Sequence, residues 1–327
     1  MVIMKISIKE LEKFIKKALL RKYDEKETDL ITKVVMFGEL SGKTSHGIVR
    51  LEGILAEKPK GKPKLISKTK VSSIIVGNGN PGMLIGSLAM DEIIRLAEEN
   101  SVGFVGARGT FSSSGSLSYY LEKIAKANLI AIIMAQSPES TPPLGGIQPL
   151  FGTNPIAFGF PSKNNPFIFD MGTSAISYGA LLKAKALGQN IPKDSAIDKD
   201  GNMTTDPNKA IDGATLPFVN SYKGAGLAMI VEILAGLWPN AWFTIHNKTA
   251  GWGNIFIAMS PTLLMDEHEF KEKLSLMIET VRNSKTKDGN KVRISGEKTI
   301  ITRDKNLKRG YVEIEEVLIN KLRKFIN

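Results

Sequence analysis

Cysteine is absent from this chain of 327 residues. Without a thiol there is no disulfide, no thiolate zinc site, no iron–sulfur cluster and no cysteine nucleophile. Histidine is scarce: only His46, His246 and His268 occur. No pair of them has metal-ligand spacing, so no protein-built metal site is expected. Long apolar runs are also missing. Runs such as LIAIIMA (129–135) are far too short to cross a bilayer. The start, MVIMKISIKELEKF, has neither a continuous apolar stretch nor a small-residue cleavage site. No secretory signal is read from it, and the expected location is cytoplasmic.

What is present is ordinary for a soluble globular protein: 42% hydrophobic and 24% charged residues. The length suits one large domain or two ordinary ones. The net charge of +11 raises the question of an anionic partner. The cationic clusters KKALLRK (16–22), KPKGKPK (58–64) and KTKDGNKVR (285–293) are scattered and not interleaved with aromatics. They read as a solvated surface, so neither a nucleic acid nor a membrane is expected as a partner.

Strand and helix periods alternate, which defines an α/β class. Two N-terminal helices are marked by caps at Ser7 with Glu10 and at Asp24 with Glu27. A strand VSSIIV (71–76), the sequence GNGNPG and an amphipathic helix to about Asn100 follow. The runs VGFVGA (102–107), LIAIIMA (129–135), NPIAFGFP (154–161) and FIFDMG (167–172) read as buried strands, with a helix over 118–127. Later come a helix over 225–237, a strand over 254–261, a helix from about Asp266 to Asn283, a basic loop-like stretch over 284–310, and a helix over 315–325.

GNGNPG (77–82) has the G-x-G-x-x-G form between a strand and a helix, so it reads as a dinucleotide fingerprint or as a glycine-rich turn. DKDGN (198–202) is not an EF-hand: with Gly201 at loop position six, Ala196 and Pro207 would fall where oxygen ligands are needed. It reads as a polar turn. His268 reads as solvated at a helix start, and His246 as part of a strand-like edge. His46 lies in KTSHGIVRLEG (43–53), with Arg50 four residues on. An imidazole can move a proton near neutral pH, and a guanidinium can grip a carboxylate with two parallel bonds. The pair suits a 2-oxo or 2-hydroxy acid, or else is a structural histidine beside a surface arginine. The serine stretch GTFSSSGSLSYY (109–120) lacks the G-x-S-x-G elbow of a serine nucleophile.

Several segments together resemble the type-2 malate/L-lactate dehydrogenase family of NAD(P)-dependent oxidoreductases, which includes ureidoglycolate and sulfolactate dehydrogenases and piperideine/pyrroline-2-carboxylate reductases. They are SHGIVR (45–50), PLGGIQPLFGTNPIAFGFP (143–161), FDMGTSAISYG (169–179), IPKDSAIDKDGNMTTDP (191–207), LPF followed by YKGAGLAMIVEILAG (216–236), and ISGE (294–297). The resemblance implies a non-Rossmann α/β fold, a mixed sheet with flanking helices, in which GNGNPG is a turn and not a pyrophosphate loop. It implies NAD(H) or NADP(H) as cofactor, a small carboxylate as substrate, no metal and a homodimer. It assigns Ser137, Asp170, Met171, Gly172, Lys223 and Gly224 to the cofactor. It assigns Ser45, His46 and Arg50 to the substrate, with His46 moving the proton and Arg50 clamping the carboxylate. The division expected along the chain is a substrate and dimerisation part over 1–110, a cofactor part over 111–253, and a C-terminal strand and helices over 254–327 packing back on the first part.

The sequence departs from the family at the serine stretch. Ser113 stands where a histidine usually precedes one residue and a glycine, and a serine hydroxyl is far too weak an acid to replace it. VNSY (219–222) replaces a usual Gly-Gly pair, and LWPNAWFTIHNKTAGWG (237–253) is short for the family. Three activities therefore stay open: hydride transfer to a small 2-oxo acid, reduction of a cyclic imine that arrives already protonated, or cofactor binding with weakened catalysis.

Overall fold

The computed structural model describes residues 3–56, 58–246, 251–287 and 289–323. Residues 247–250 of the shortened segment and 324–325 of the final expected helix lie outside the described residues.

The chain opens with β1 (Ile3–Ser7), α1 (Ile8–Leu19), α2 (Glu25–Leu40) and α3 (Leu51–Ala56). Then come β2 (Lys64–Thr69), β3 (Ser72–Pro81), α4 (Gly82–Asn100), β4 (Val102–Phe111), α5 (Leu117–Lys126) and β5 (Ile130–Ala135). The middle continues with β6 (Ile156–Phe160), β7 (Phe167–Met171), α6 (Tyr178–Leu187), β8 (Ala196–Ile197), α7 (Pro207–Asp212), β9 (Ala214–Thr215) and α8 (Tyr222–Val231). A π-helical segment, Glu232–Leu237, extends α8. The last elements are β10 (Trp252–Met259), α9 (Glu267–Arg282), α10 (Glu297–Arg309), β11 (Tyr311–Glu315) and α11 (Glu316–Arg323).

The main sheet has seven strands in the order β2-β3-β4-β10-β5-β6-β7. Only β3 and β4 run parallel, with α4 as their crossover; every other neighbouring pair is antiparallel. This is the mixed sheet expected from the sequence. β10 enters between β4 and β5, so a late segment completes the middle of the sheet. β1 pairs with β11 in a separate ribbon that ties the two ends of the chain together. The core forms where α4 lays Met83, Leu84, Ile85, Ala89 and Ile93 toward Val105, Ala131 and Phe256 of the sheet. Tyr120 of α5 stacks edge-on against Phe256, with ring centroids 5.7 Å apart.

Both N-terminal caps form as read. Ser7 accepts from the Glu10 amide at 3.1 Å, and Asp24 and Glu27 make a full capping box. Three expectations are corrected. GNGNPG is not a turn before α4: β3 runs through it to Pro81, with a bulge at Asn78 and Gly79, whose φ values are 50° and 75°. The stretch 284–310 is not all loop, because α10 occupies much of it. It buries only Asn306, so no apolar stripe announces it. His246 closes a short 3₁₀ turn, Thr244–His246, and is not on a strand edge. DKDGN is a turn, as read: Asp198 Oδ1 accepts from the Asp200 and Asn202 amides at 3.0 and 2.9 Å.

A buried polar node supports the middle of the fold. Glu232 sits where α8 gives way to the π-helical segment. Its carboxylate accepts from Gln136 Nε2 at 2.6 Å, Asn154 Nδ2 at 2.8 Å, and Thr244 Oγ1 at 2.8 Å. It thereby joins the ends of β5, the approach to β6 and the 242–246 turn. Removing a buried acceptor strands its donors, at a cost of about 1–3 kcal/mol. Glu232→Ala is therefore expected to lower stability by about 2 kcal/mol in urea unfolding, with Glu232→Gln recovering part of the loss.

Candidate active site

The segment 43–50 leaves α2 as two 3₁₀ turns, Thr44–His46 and Ile48–Arg50, hinged at Gly47. Its shape is imposed from behind. The buried Glu39 carboxylate accepts from the Ile48 amide at 2.7 Å, and a Cβ on Gly47 would run into that carboxylate. From the side, Lys183 of α6 donates to Thr44 Oγ1 at 2.9 Å while pairing with Glu315 of β11 at 2.7 Å.

Ser45 Oγ lies 2.9 Å from His46 Nδ1, with donor and acceptor set by the tautomer. Arg50 Nε donates to the Ser45 carbonyl at 2.8 Å, which aligns the guanidinium alongside the turn. Gly179, on α6, packs here so closely that a Cβ would clash with the Arg50 guanidinium and stand 2.6 Å from the Ser45 carbonyl oxygen.

Asp170, near the end of β7, completes the cluster. Its Oδ2 accepts from Lys43 Nζ at 2.7 Å, Ser118 Oγ at 2.7 Å, the Ser118 amide at 3.2 Å and Ser116 Oγ at 3.2 Å. Lys43 Nζ also bonds Ser118 Oγ at 2.7 Å. Burial opposes ionisation of Asp170. Lys43, through its charge and hydrogen bond, with Ser118 and His46, overcomes that opposition and brings the carboxyl down to about 2. Burial, with Arg50 and Lys43 adding, holds the His46 ring down at about 4 against the pull of Asp170. The ring is neutral at pH 7. Burial also lowers Arg50, to about 10, against the opposing effect of Tyr178, so it keeps its charge near neutrality.

The residues assigned to the cofactor form one connected strip. Ser137 Oγ meets Thr153 Oγ1 at 3.1 Å, and the Thr153 carbonyl accepts from the Thr173 amide at 2.9 Å, next to Gly172. The Thr173 carbonyl accepts from the Phe218 amide at 2.7 Å, and Phe218 backs directly onto Gly224. Met171 packs inward against the cluster that holds Val231 and Ala235. α8 starts at Tyr222 with no side-chain cap, and Lys223 is exposed in its first turn. Unpaired amides at a helix start beside an ammonium are the donor set for a pyrophosphate, so a dinucleotide fits these residues. In the VNSY stretch, Val219 and Asn220 adopt φ values of 56° and 43°. Non-glycine residues thus hold the conformation that a glycine pair would take freely.

Ser113 is not drawn into the cluster. Its hydroxyl accepts from the Gly115 amide at 3.0 Å, within its own loop. Among the described residues no group of three or more metal-ligating side chains converges, and no helix is long and apolar enough to cross a membrane. Two groups of the cluster escaped sequence reading. Lys43 lay inside the motif read for His46, but nothing local showed that it meets Asp170. Glu39 sits on α2, and its only signal was the glycine at 47 that makes room for it.

The family model for malate/L-lactate dehydrogenase matches residues 6–323. The L-sulfolactate dehydrogenase of Methanocaldococcus jannaschii is 33% identical over 315 residues, covering 93% of this chain and 90% of that protein. The crystal structure of malate dehydrogenase from Entamoeba histolytica superposes with a TM-score of 0.92 at 26% identity, covering 99% of this chain and 97% of that one. The delta1-piperideine-2-carboxylate reductase of Pseudomonas syringae pvar. tomato superposes with a TM-score of 0.83 at 25% identity, covering 98% and 99%. Other relatives are named as NAD(+)- or NADP(+)-dependent dehydrogenases. The family match and these relatives define a nicotinamide-dependent oxidoreductase. The chain belongs to the malate/L-lactate dehydrogenase family.

Glu39 makes the site's support sensitive to pH. Burial pushes its carboxyl up from 4.5 to about 7; the Ile48 amide and Lys183 oppose the rise, and Glu315 adds to it. The native state keeps a proton that the unfolded chain releases near 4.5. The stability linked to this group is full below that value and is lost as pH rises through about 7. Glu39→Gln keeps an acceptor for the Ile48 amide and cannot ionise. Between pH 4.5 and 8 it is expected to gain on the order of 3 kcal/mol relative to the parent protein, measured by urea unfolding across that range.

Proposed function

We propose that this protein transfers a hydride between NAD(H) or NADP(H) and a small 2-oxo/2-hydroxy acid of the malate, lactate or sulfolactate kind. The observation that carries the reading is the neutral His46 ring, fixed by Ser45 at 2.9 Å and flanked by the Arg50 guanidinium. The nicotinamide, when bound, supplies or takes the hydride. Ser137, Asp170, Met171, Gly172, Lys223 and Gly224 hold the cofactor, with Lys223 and the first-turn amides of α8 on its pyrophosphate. Arg50 grips the substrate carboxylate, and the Ser45 carbonyl keeps its fork in plane. In the oxidative direction the unprotonated nitrogen of His46 accepts a hydrogen bond from the substrate hydroxyl and orients it. Ser113 bonds its own loop and leaves the site without the family's second histidine.

One feature of the site favours a cyclic imine as second substrate class. A ring held neutral and a serine in place of an acid are no handicap to a substrate that arrives as an iminium. A rate that follows the protonated imine as pH changes would select this class, and turnover confined to oxo acids would remove it.

His46→Ala is expected to lower kcat for oxo-acid-dependent oxidation of NADH or NADPH by roughly 10²–10⁴-fold. Gly179→Ala, which displaces Arg50, is expected to act mainly by raising the KM for the oxo acid. Steady-state kinetics of both variants, run with oxaloacetate and pyruvate, check this assignment. Unchanged kinetics in His46→Ala would refute it.

The reading extends to assembly as a homodimer. α8, its π-helical extension and the turns flanking them leave Tyr222, Met229, Ile233, Trp238 and Trp242 49–71% exposed. A patch rich in aromatics and methionine is the composition of an interface core. A second copy is its occupant, because one helix face set against itself is self-complementary about a two-fold axis. Light scattering should find a dimer at micromolar concentration, and Ile233→Lys with Trp238→Glu should give a monomer.

A further inference from the structure

We propose that Lys43 is the acid of this site: its ammonium, held on Asp170 and Ser118 beside His46, gives the substrate oxygen the proton that the serine loop has no imidazole to give. The inference rests on the reading of His46 and Arg50 as the substrate pair.

The geometry leads there by three steps. First, Asp170 anchors the ammonium inside the site, on a carboxylate that other donors also hold in place. Ser116 Oγ, Ser118 Oγ and the Ser118 amide already donate to Oδ2, at 3.2, 2.7 and 3.2 Å. The ammonium is held there at 2.7 Å and still keeps 27% side-chain exposure. Second, Lys43 has three N–H groups. Asp170 and Ser118 take two of them, at 2.7 Å each, and fix the direction of the third. Lys43 shares a turn with His46, whose amide donates to the Lys43 carbonyl at 2.8 Å, so the third N–H belongs to the same neighbourhood as the imidazole. Third, the other candidates are unsuitable. The His46 ring carries no spare proton at pH 7. Arg50 keeps its charge near neutrality and is committed to the substrate carboxylate, and the Ser113 hydroxyl is bound within its loop. Glu39 lies behind the turn on the Ile48 amide.

The step balances. In reduction, the carbonyl carbon gains the hydride that a nicotinamide supplies, and the C=O π pair goes to oxygen. That oxygen forms O–H as one Lys43 N–H breaks. The neutral amine recovers its proton from solvent through its exposed edge. Oxidation runs the reverse course and needs the neutral amine.

The test compares the full-length protein with Lys43→Met and Lys43→Arg. With NADH or NADPH and oxaloacetate or pyruvate over pH 6–10, Lys43→Met should lose about 10²–10⁴-fold in kcat with KM nearly unchanged. Added methylamine should restore part of the rate. Lys43→Arg should keep the ion pair and the fold but not the rate. A second readout needs no cofactor. In the free protein, the NMR titration of the His46 C2 proton, assigned with His46→Gln, should move to higher pH in Lys43→Met, because one of the two cations that oppose Asp170 at the ring is then gone. Turnover that survives Lys43→Met within threefold overturns the proposal and leaves the His46 reading standing. A wild-type protein inert to every oxo acid counts against the underlying reading, and an unmoved His46 titration then counts against Lys43 as well.

Discussion

The carboxylate of Asp170 is the point on which the site depends. It joins three segments with no local reason to meet: the turn after α2, the start of α5, and the edge strand β7. α5 begins at Leu117 with Ser116 as its cap residue, and the Ser116 side chain makes no capping bond. Asp170 supplies that cap from another strand, taking the Ser118 amide and both serine hydroxyls. With Lys43 on the same oxygen, the turn that carries His46 is tied to β7. A buried charge is tolerable only when several donors meet it, and here the donors come from elements that must all be in place first.

The electrostatics of the turn follow from what surrounds it. Arg50 and Lys43 flank the imidazole, burial works with them, and the ring stays neutral. An anionic acid entering this space meets two cations and no competing imidazolium. On the far side of the same turn Glu39 does the opposite and retains a proton. The two groups bear on stability in opposite senses. The low pKa of His46 adds stability as pH rises from about 4 to 6.5, while the high pKa of Glu39 removes it from 4.5 to about 7. Over the shared range they offset, which keeps the turn's contribution nearly level on the acid side of neutrality.

What the sequence made legible was local or periodic. Ser7 and Asp24 announced their caps, and the runs of Ile, Val and Phe announced β4, β5 and β10. β2 went unread because all six of its residues face solvent, so it shows no alternation between a wet and a buried face. β1 and β11 were hidden for another reason: each is short, and each exists only because the other end of the chain comes to meet it. GNGNPG misled because glycine marks both a turn and a bulged strand, and only the neighbouring β4 decides between them. Within the site, His46, Ser45 and Arg50 share one turn and could be read together. Lys43 with Asp170 is a contact across 127 positions, and no spacing rule reaches that far.

The serine loop shows why a departure in chemistry left the fold intact. Its backbone is fixed by neighbours and not by the residue at 113. Tyr120 of α5 donates to the Ser114 carbonyl at 2.7 Å, and Asn254 of β10 donates to Ser114 Oγ at 3.2 Å. Gly115 turns at a φ of 73°, pressed against Val34 of α2 where no Cβ would fit. The side chain at 113 bears none of these contacts and closes only its own small turn onto the Gly115 amide. A residue so placed can change identity without moving α5, β10 or the Asp170 node.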